Sequence, residues 1–210
     1  MSCLEIHQLE SIRGDSLLFE QLSFRVETGE LLQIDGENGS GKSTLLRMIA
    51  GLTQPTEGQI NWNQQSINVE RQQYNQSMSY IGHSNGIKES LTNAENLSLI
   101  HALSGRTDHI DHDTILMRVG LSGMNKVLSG KMSAGQKRRL SLSRLLIKKS
   151  SLWLLDEPFT SLDADGKQII ESMIDEQCRT SGIVIFATHQ PVEIQGHAVR
   201  RVHLGQHQHA

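Results

Sequence analysis

The run Gly36-Glu37-Asn38-Gly39-Ser40-Gly41-Lys42-Ser43-Thr44 constrains this chain more than any other stretch. It lies between two apolar segments, Leu31-Leu32-Gln33-Ile34-Asp35 and Leu45-Leu46-Arg47-Met48-Ile49-Ala50, and so reads as a turn from a buried strand into a helix. The order glycine, four residues, glycine, lysine, serine is the phosphate-binding-loop pattern, and the strand-then-helix context gives it meaning. Glycines at 36, 39 and 41 allow a close backbone approach that a side chain would block. The backbone N–H groups along the loop, those of Asn38 and Ser40 included, are then free to turn onto a polyphosphate. They do so at a helix N-terminus, whose partial positive charge favours an anion. Lys42 adds a full charge for the β- and γ-phosphates, the Ser43 hydroxyl is placed to ligate magnesium, and Thr44 is expected to bond a phosphate oxygen.

A chain of 210 residues suits one large domain, or one domain with an inserted subdomain. With 20 basic and 23 acidic residues the net charge is only −3, which argues against a nucleic-acid binder or a polybasic membrane anchor. Cys3 and Cys178 lie far apart without C-x-x-C spacing, as expected of a reduced cytosolic chain. No signal-peptide pattern opens the sequence, and no apolar run approaches the roughly 20 residues that span a bilayer. Membrane association is therefore expected only through a partner, without direct insertion.

Apolar alternation predicts strands over Cys3–Leu9 and Leu22–Val26 about a Gly14-Asp15 turn, then Gly58–Trp62 and Met78–Gly82. Residues 63–77, rich in Gln and Asn, read as surface loop with some helix. Thr92-Asn93-Ala94-Glu95 is a capping box ahead of an amphipathic helix, and a second helix is expected over Asp113–Val119, stopping at Gly120. A long helix follows over Lys137–Lys148. These helices make residues about 84–150 a small helical subdomain within a single domain. The continuous apolar runs Leu152–Asp156 and Gly182–Ala187, separated by a helix over Lys167–Gln177, argue for an α/β core. Its sheet is mostly parallel and covered on both faces, with an antiparallel β part at the N-terminus.

Leu152–Pro158 delivers Asp156 and Glu157 at the carboxyl end of a buried strand, where ligands bind in open α/β sheets. Asp156 then suits magnesium and Glu157 suits a general base that polarises water. Met132-Ser133-Ala134-Gly135-Gln136 precedes the long helix. Here the chain resembles the ATP-binding-cassette family, whose Leu-Ser-Gly-Gly-Gln signature is matched with two substitutions. The resemblance implies a P-loop nucleotide-binding domain that hydrolyses ATP with magnesium. It also implies a homodimer in which Ser133, Gly135 and Gln136 of one subunit close on the γ-phosphate held by the other. Ser133 and Gln136 also have capping-box spacing, and the two readings are compatible. By the same resemblance, His189, after the strand that ends at Ala187, is the switch histidine that orients Glu157 and water. Ser161-Leu162-Asp163 is the loop coupling the two sites, which puts Asp163 at the nucleotide. With Lys42, the catalytic set is Glu157 and His189.

Two positions depart from the family. His83 stands where a glutamine usually contacts magnesium and relays to the membrane partner. No aromatic residue stands near Arg13, where one usually stacks on adenine, though an arginine plane can stack on a base. The runs Ser79-Tyr80-Ile81-Gly82-His83, Gly86-Ile87-Lys88, Leu91–Leu97, Asp156–Thr160 and Thr188-His189-Gln190-Pro191 are similar to the cytochrome c maturation branch. That implies an ATPase pair beneath CcmB- and CcmC-like integral membrane subunits of a haem exporter, peripheral on the cytoplasmic face of the bacterial inner membrane. A soluble ATP-driven switch of the same cassette type, or an ATPase subunit serving another substrate, remains open. A GTPase is disfavoured, because Asn125-Lys126 is followed by Val127-Leu128 and completes no guanine-reading motif. His203, His207 and His209 read as a polar surface tail.

Overall fold

The computed structural model describes residues 2–189 and 192–205. Strands β1 (Cys3–Arg13) and β2 (Ser16–Glu27) form an antiparallel hairpin. Two further strands, β4 (Glu57–Trp62) and β5 (Gln65–Ser66), extend this sheet in the order β2-β1-β4-β5. Both hairpin strands run longer than alternation alone predicts, because register shifts interrupt the alternation along β1.

The second sheet has the order β6-β7-β8-β3-β9, built from β6 (Met78–Ile81), β7 (Leu152–Asp156), β8 (Ile183–Ala187), β3 (Leu31–Gly36) and β9 (Val199–Leu204). Every pairing in it is parallel. Its apolar runs split by parity. Leu32, Ile34, Leu152, Leu154, Ile183 and Ile185 face one core, with the antiparallel sheet and the phosphate-loop helix α1 (Lys42–Ile49). Leu31, Trp153, Leu155, Val184 and Phe186 face the other. That second core is closed by α3 (Asn93–Leu103), α4 (His112–Arg118), α5 (Ala134–Leu142), α6 (Arg144–Lys148) and α7 (Ala164–Arg179). The short α2 (Arg71–Ser77) joins the first core through Tyr74, whose buried hydroxyl donates to the Ile49 carbonyl at 2.6 Å.

Local chemistry sets the helix starts. Thr92 and Glu95 satisfy each other's backbone donors in a reciprocal capping box at α3, as expected. Accepting the Thr92 backbone and side-chain hydrogen bonds holds the Glu95 carboxyl below its usual range. Asp111 caps α4 by accepting from the Asp113 and Thr114 amides. Two expectations need correction. The helix predicted over Lys137–Lys148 starts earlier, at Ala134, and is divided at Ser143, whose hydroxyl bonds back to the Leu140 carbonyl and bends the chain. His203 does not lie in a loose tail; it sits on β9, paired with Asp35 of β3. His207 and His209 fall outside the described residues.

Candidate nucleotide site

β3 ends in the phosphate loop, and β7 and β8 end beside it, so three parallel strands deliver their carboxyl termini to one place. Gly36 has φ 145°, and a Cβ there would stand 2.5 Å from the Leu204 carbonyl oxygen and 2.6 Å from Ser40 Oγ. Glycine is thus required by β9, which backs the loop. Gly41 precedes α1 in the left-handed region, and no side chain caps that helix. Its first amides are left for an anion. Lys42 is buried, and its Nζ donates to the carbonyls of Gly36 at 2.6 Å and Glu37 at 2.8 Å, which keeps the ammonium inside the loop. Among the described residues Ser40 Oγ is buried without a hydrogen-bond partner. Asn38 and Gly39 are exposed at its tip, and Thr44 is partly buried.

Ser43 Oγ donates to Asp156 Oδ1 at 3.0 Å, and Asp156 is buried. This pair of hard oxygen donors fits magnesium, which keeps several waters and takes few protein ligands. His83 follows β6 on an exposed turn. Among the described residues no group of three His, Cys, Asp or Glu side chains is arranged to hold a metal. The Tyr80 phenol on β6 is pushed up by burial and by the Asp156 carboxylate, and Arg47 opposes this, so Tyr80 lies in the field of the site.

Glu157 adopts φ 51°, an uncommon conformation for a side-chain-bearing residue. Its N–H donates to the Ala187 carbonyl at 2.9 Å, tying the end of β7 to the end of β8. His189, two residues beyond β8, then meets it: Nδ1 lies 3.2 Å from Glu157 Oε1. The imidazole is half exposed and the carboxylate largely covered. Past His189, the Val192 amide donates to Gln33 Oε1 on β3 at 3.3 Å. A carboxylate at the mouth of a phosphate loop, oriented by an imidazole, is the arrangement a water-activating base needs.

The remaining candidates fall into two places. Ser133 and Ala134 are exposed at the start of α5, where Ser133 Oγ accepts from the Gln136 amide and Gln136 Oε1 from the Ser133 amide. Gly135 packs against the neighbouring loop so closely that a Cβ would lie 2.5 Å from the Ser161 carbonyl oxygen. Asp163 caps α7, accepting from the Gly166 amide at 2.9 Å. Arg13 is exposed at the tip of the β1–β2 hairpin. The same hairpin presses Phe19 onto Gly41, where an added Cβ would meet the ring at 3.2 Å.

Sequence reasoning missed Arg138. This buried residue of α5 donates to the carbonyls of Gly82 at 3.0 Å, Asp156 at 2.6 Å and Glu157 at 2.9 Å. Burial draws its pKa down while the carboxylates of Asp156 and Glu157 act the other way. Within Lys137-Arg138-Arg139 it reads as one more solvated charge; the available signal is its place on the helix face of buried Ser141 and Leu142.

The ABC transporter family model matches residues 19–160. The chain is 42% identical to the cytochrome c biogenesis ATP-binding export protein CcmA of Vibrio cholerae, over 96% of this chain and 98% of that protein. It is 44% identical to the protein of the same name from Nitrosococcus oceani, over 91% and 88% respectively. Among solved structures, an ABC transporter ATP-binding protein from Pyrococcus furiosus superposes with a TM-score of 0.82 at 23% identity, covering 96% of this chain and 97% of that one. An ATP-binding cassette in its ADP conformation superposes with a TM-score of 0.76 at 22% identity, covering 92% and 83%. Both likenesses concern the fold.

Proposed function

The chain belongs to the ABC transporter family of ATP-hydrolysing subunits, and on that premise we propose that it powers the haem-export complex of cytochrome c maturation. The observation that carries the catalytic half is the gathering of Lys42, Ser43, Asp156, Glu157 and His189 at the carboxyl ends of the neighbouring strands β3, β7 and β8. The choice of branch is supported by relatives named as cytochrome c biogenesis export proteins at about two-fifths identity over nearly the whole chain.

ATP lies along Gly36–Thr44, with Lys42 on the β- and γ-phosphates, Ser40 Oγ free to donate to them, and Arg13 near the base. Ser43 and Asp156 hold magnesium, which when bound neutralises charge on the polyphosphate. Glu157 takes a proton from water as the water oxygen attacks the γ-phosphorus and ADP departs, and His189 orients that carboxylate. The exposed Ser133, with the part-buried Gly135 and Gln136 beside it, completes the site of a second copy, with Asp163 in the loop between the two sites, so ATP joins a homodimer. The helical part, about residues 84–150, carries this trans-acting surface.

Among the described residues no helix is long and apolar enough to cross a membrane. Export therefore assigns CcmB- and CcmC-like integral subunits to the complex, with this chain peripheral on the cytoplasmic face of the inner membrane. A groove of about 810 Å³ beside the edge strand β6, with Leu99 and Leu103 of α3 among its walls, supports contact with such a subunit. His83 follows that strand and takes the place of the relaying glutamine. The test is complementation of a bacterium lacking its own subunit of this kind. The wild-type chain is expected to restore c-type cytochromes and Glu157→Gln to fail. ATPase activity without restoration would retain the enzyme and remove the haem role.

A further inference from the structure

We propose that Arg138 is a positioning residue for hydrolysis, one guanidinium that fixes the backbone carrying Glu157 and links it to the helix facing the second subunit. The proposal rests on Glu157 being the base.

Glu157 sits at φ 51°, a conformation that persists only where the surroundings over-determine it. Four hydrogen bonds to this backbone do so. The Glu157 N–H donates to the Ala187 carbonyl at 2.9 Å, its own carbonyl accepts from Arg138 at 2.9 Å and from the Thr160 amide at 3.3 Å, and the preceding carbonyl, that of Asp156, accepts from the same Arg138 nitrogen at 2.6 Å. Two of the four come from one side chain. The other terminal nitrogen of Arg138 holds the Gly82 carbonyl at 3.0 Å, the peptide that leads into His83. Arg138 is 4% exposed and, among the described residues, has no carboxylate within ion-pair distance. A buried guanidinium spent on main-chain carbonyls has a geometric task, since its planar fork can span several acceptors that a lysine ammonium cannot.

The same helix begins with exposed Ser133 and Ala134, and its Gly135 rests on the Ser161 carbonyl. A movement of α5 when the second subunit engages is thus carried through Arg138 to the carboxylate that must meet His189 at 3.2 Å. Misplacing a reacting group by about 1 Å costs on the order of 100-fold in rate.

The experiment compares wild type, Arg138→Lys, Arg138→Met and Glu157→Gln, alone and combined, in the full chain assembled with its membrane subunits. It reads single-turnover ATP hydrolysis, nucleotide affinity and thermal stability. Arg138→Lys is expected to keep nucleotide affinity and folding while slowing turnover about 10-fold or more. In the Glu157→Gln background it should slow turnover no further, because both changes disable one carboxylate. Arg138→Met should be slower still; if it does not fold, the lysine variant decides. Wild-type turnover in Arg138→Lys, or effects that multiply with Glu157→Gln, overturns the proposal. Wild-type turnover in Glu157→Gln removes the base reading itself, and the role of Arg138 with it.

Discussion

Ser43 donates its hydroxyl proton to Asp156 across 3.0 Å, joining residues 113 positions apart in the chain. The bond ties the first turn of the phosphate-loop helix to the last residue of a buried strand and presents two hard oxygens to one point.

Replacing Asp156 with Asn leaves a neutral amide in place of the charged ligand. Magnesium should then strengthen ATP binding at least about 10-fold less than in wild type. Turnover should fall on the order of 100-fold. Calorimetric titration with ATP, with and without magnesium, checks the first effect. An unchanged magnesium increment would remove Asp156 from the metal site.

Glu157→Gln keeps the shape of the side chain and removes the proton acceptor. A loss of general-base catalysis of about 100- to 10,000-fold in kcat is expected, with nucleotide affinity retained. Steady-state ATPase assays with fluorescent-nucleotide binding check this, and hydrolysis at the wild-type rate would reject the base assignment.

Ser133 is exposed at a helix start, so an arginine there fits the isolated subunit and blocks a facing one. Ser133→Arg is expected to bind ATP as one subunit and to lose ATP-dependent dimerisation in the Glu157→Gln background. Light scattering with nucleotide measures both states. Loss of ATP binding itself would count against a site completed in trans.

Gly135→Ala places a Cβ where the Ser161 carbonyl oxygen stands 2.5 Å away, and backbone must shift to admit it. The shift falls between the signature and the loop leading to Asp163, at the edge of the second core, where Ser161 and Gly135 themselves are not core members. Turnover should drop about 10-fold or more while the melting temperature changes little. A normal rate would mean that this contact carries no coupling.

Cys178 supplies a pH prediction. Burial, with the Asp175 carboxylate adding to it, raises the thiol from 9.0 to about 11. Between those values the unfolded chain has released a proton that the folded chain retains, so stability falls as pH rises through this window. Cys178→Ala should flatten that part of the stability–pH curve while lowering its overall level through the lost packing. Chemical denaturation at a series of pH values above 8 measures the slope.

The candidate nucleotide site was legible because its parts are local or punctuated. Gly36 to Thr44 declares itself by spacing, Asp156 and Glu157 by ending an apolar run, and Thr92 with Glu95 by a four-residue box. β9 was not. Its apolar residues, Val199, Val202 and Leu204, break a two-residue period, and only Leu204 is buried, since the strand pairs on one side alone. The division of the helix at Ser143 escaped for a related reason: a serine inside a helical pattern carries no sign of whether it bonds back to its own turn.

The sequence by itself determined that a phosphate-loop pattern follows the apolar run of β3, that Asp156 and Glu157 stand at the end of another such run, and that buried strands alternate with helices. These follow from residue type and short-range period, which the backbone reads locally. Only the tertiary structure decided that β9 backs Gly36, that His189 reaches Glu157, and that Arg138 of a surface-like basic run is buried against the end of β7. Those relations join segments far apart in the chain, and parallel crossovers place such segments side by side without a mark in either one.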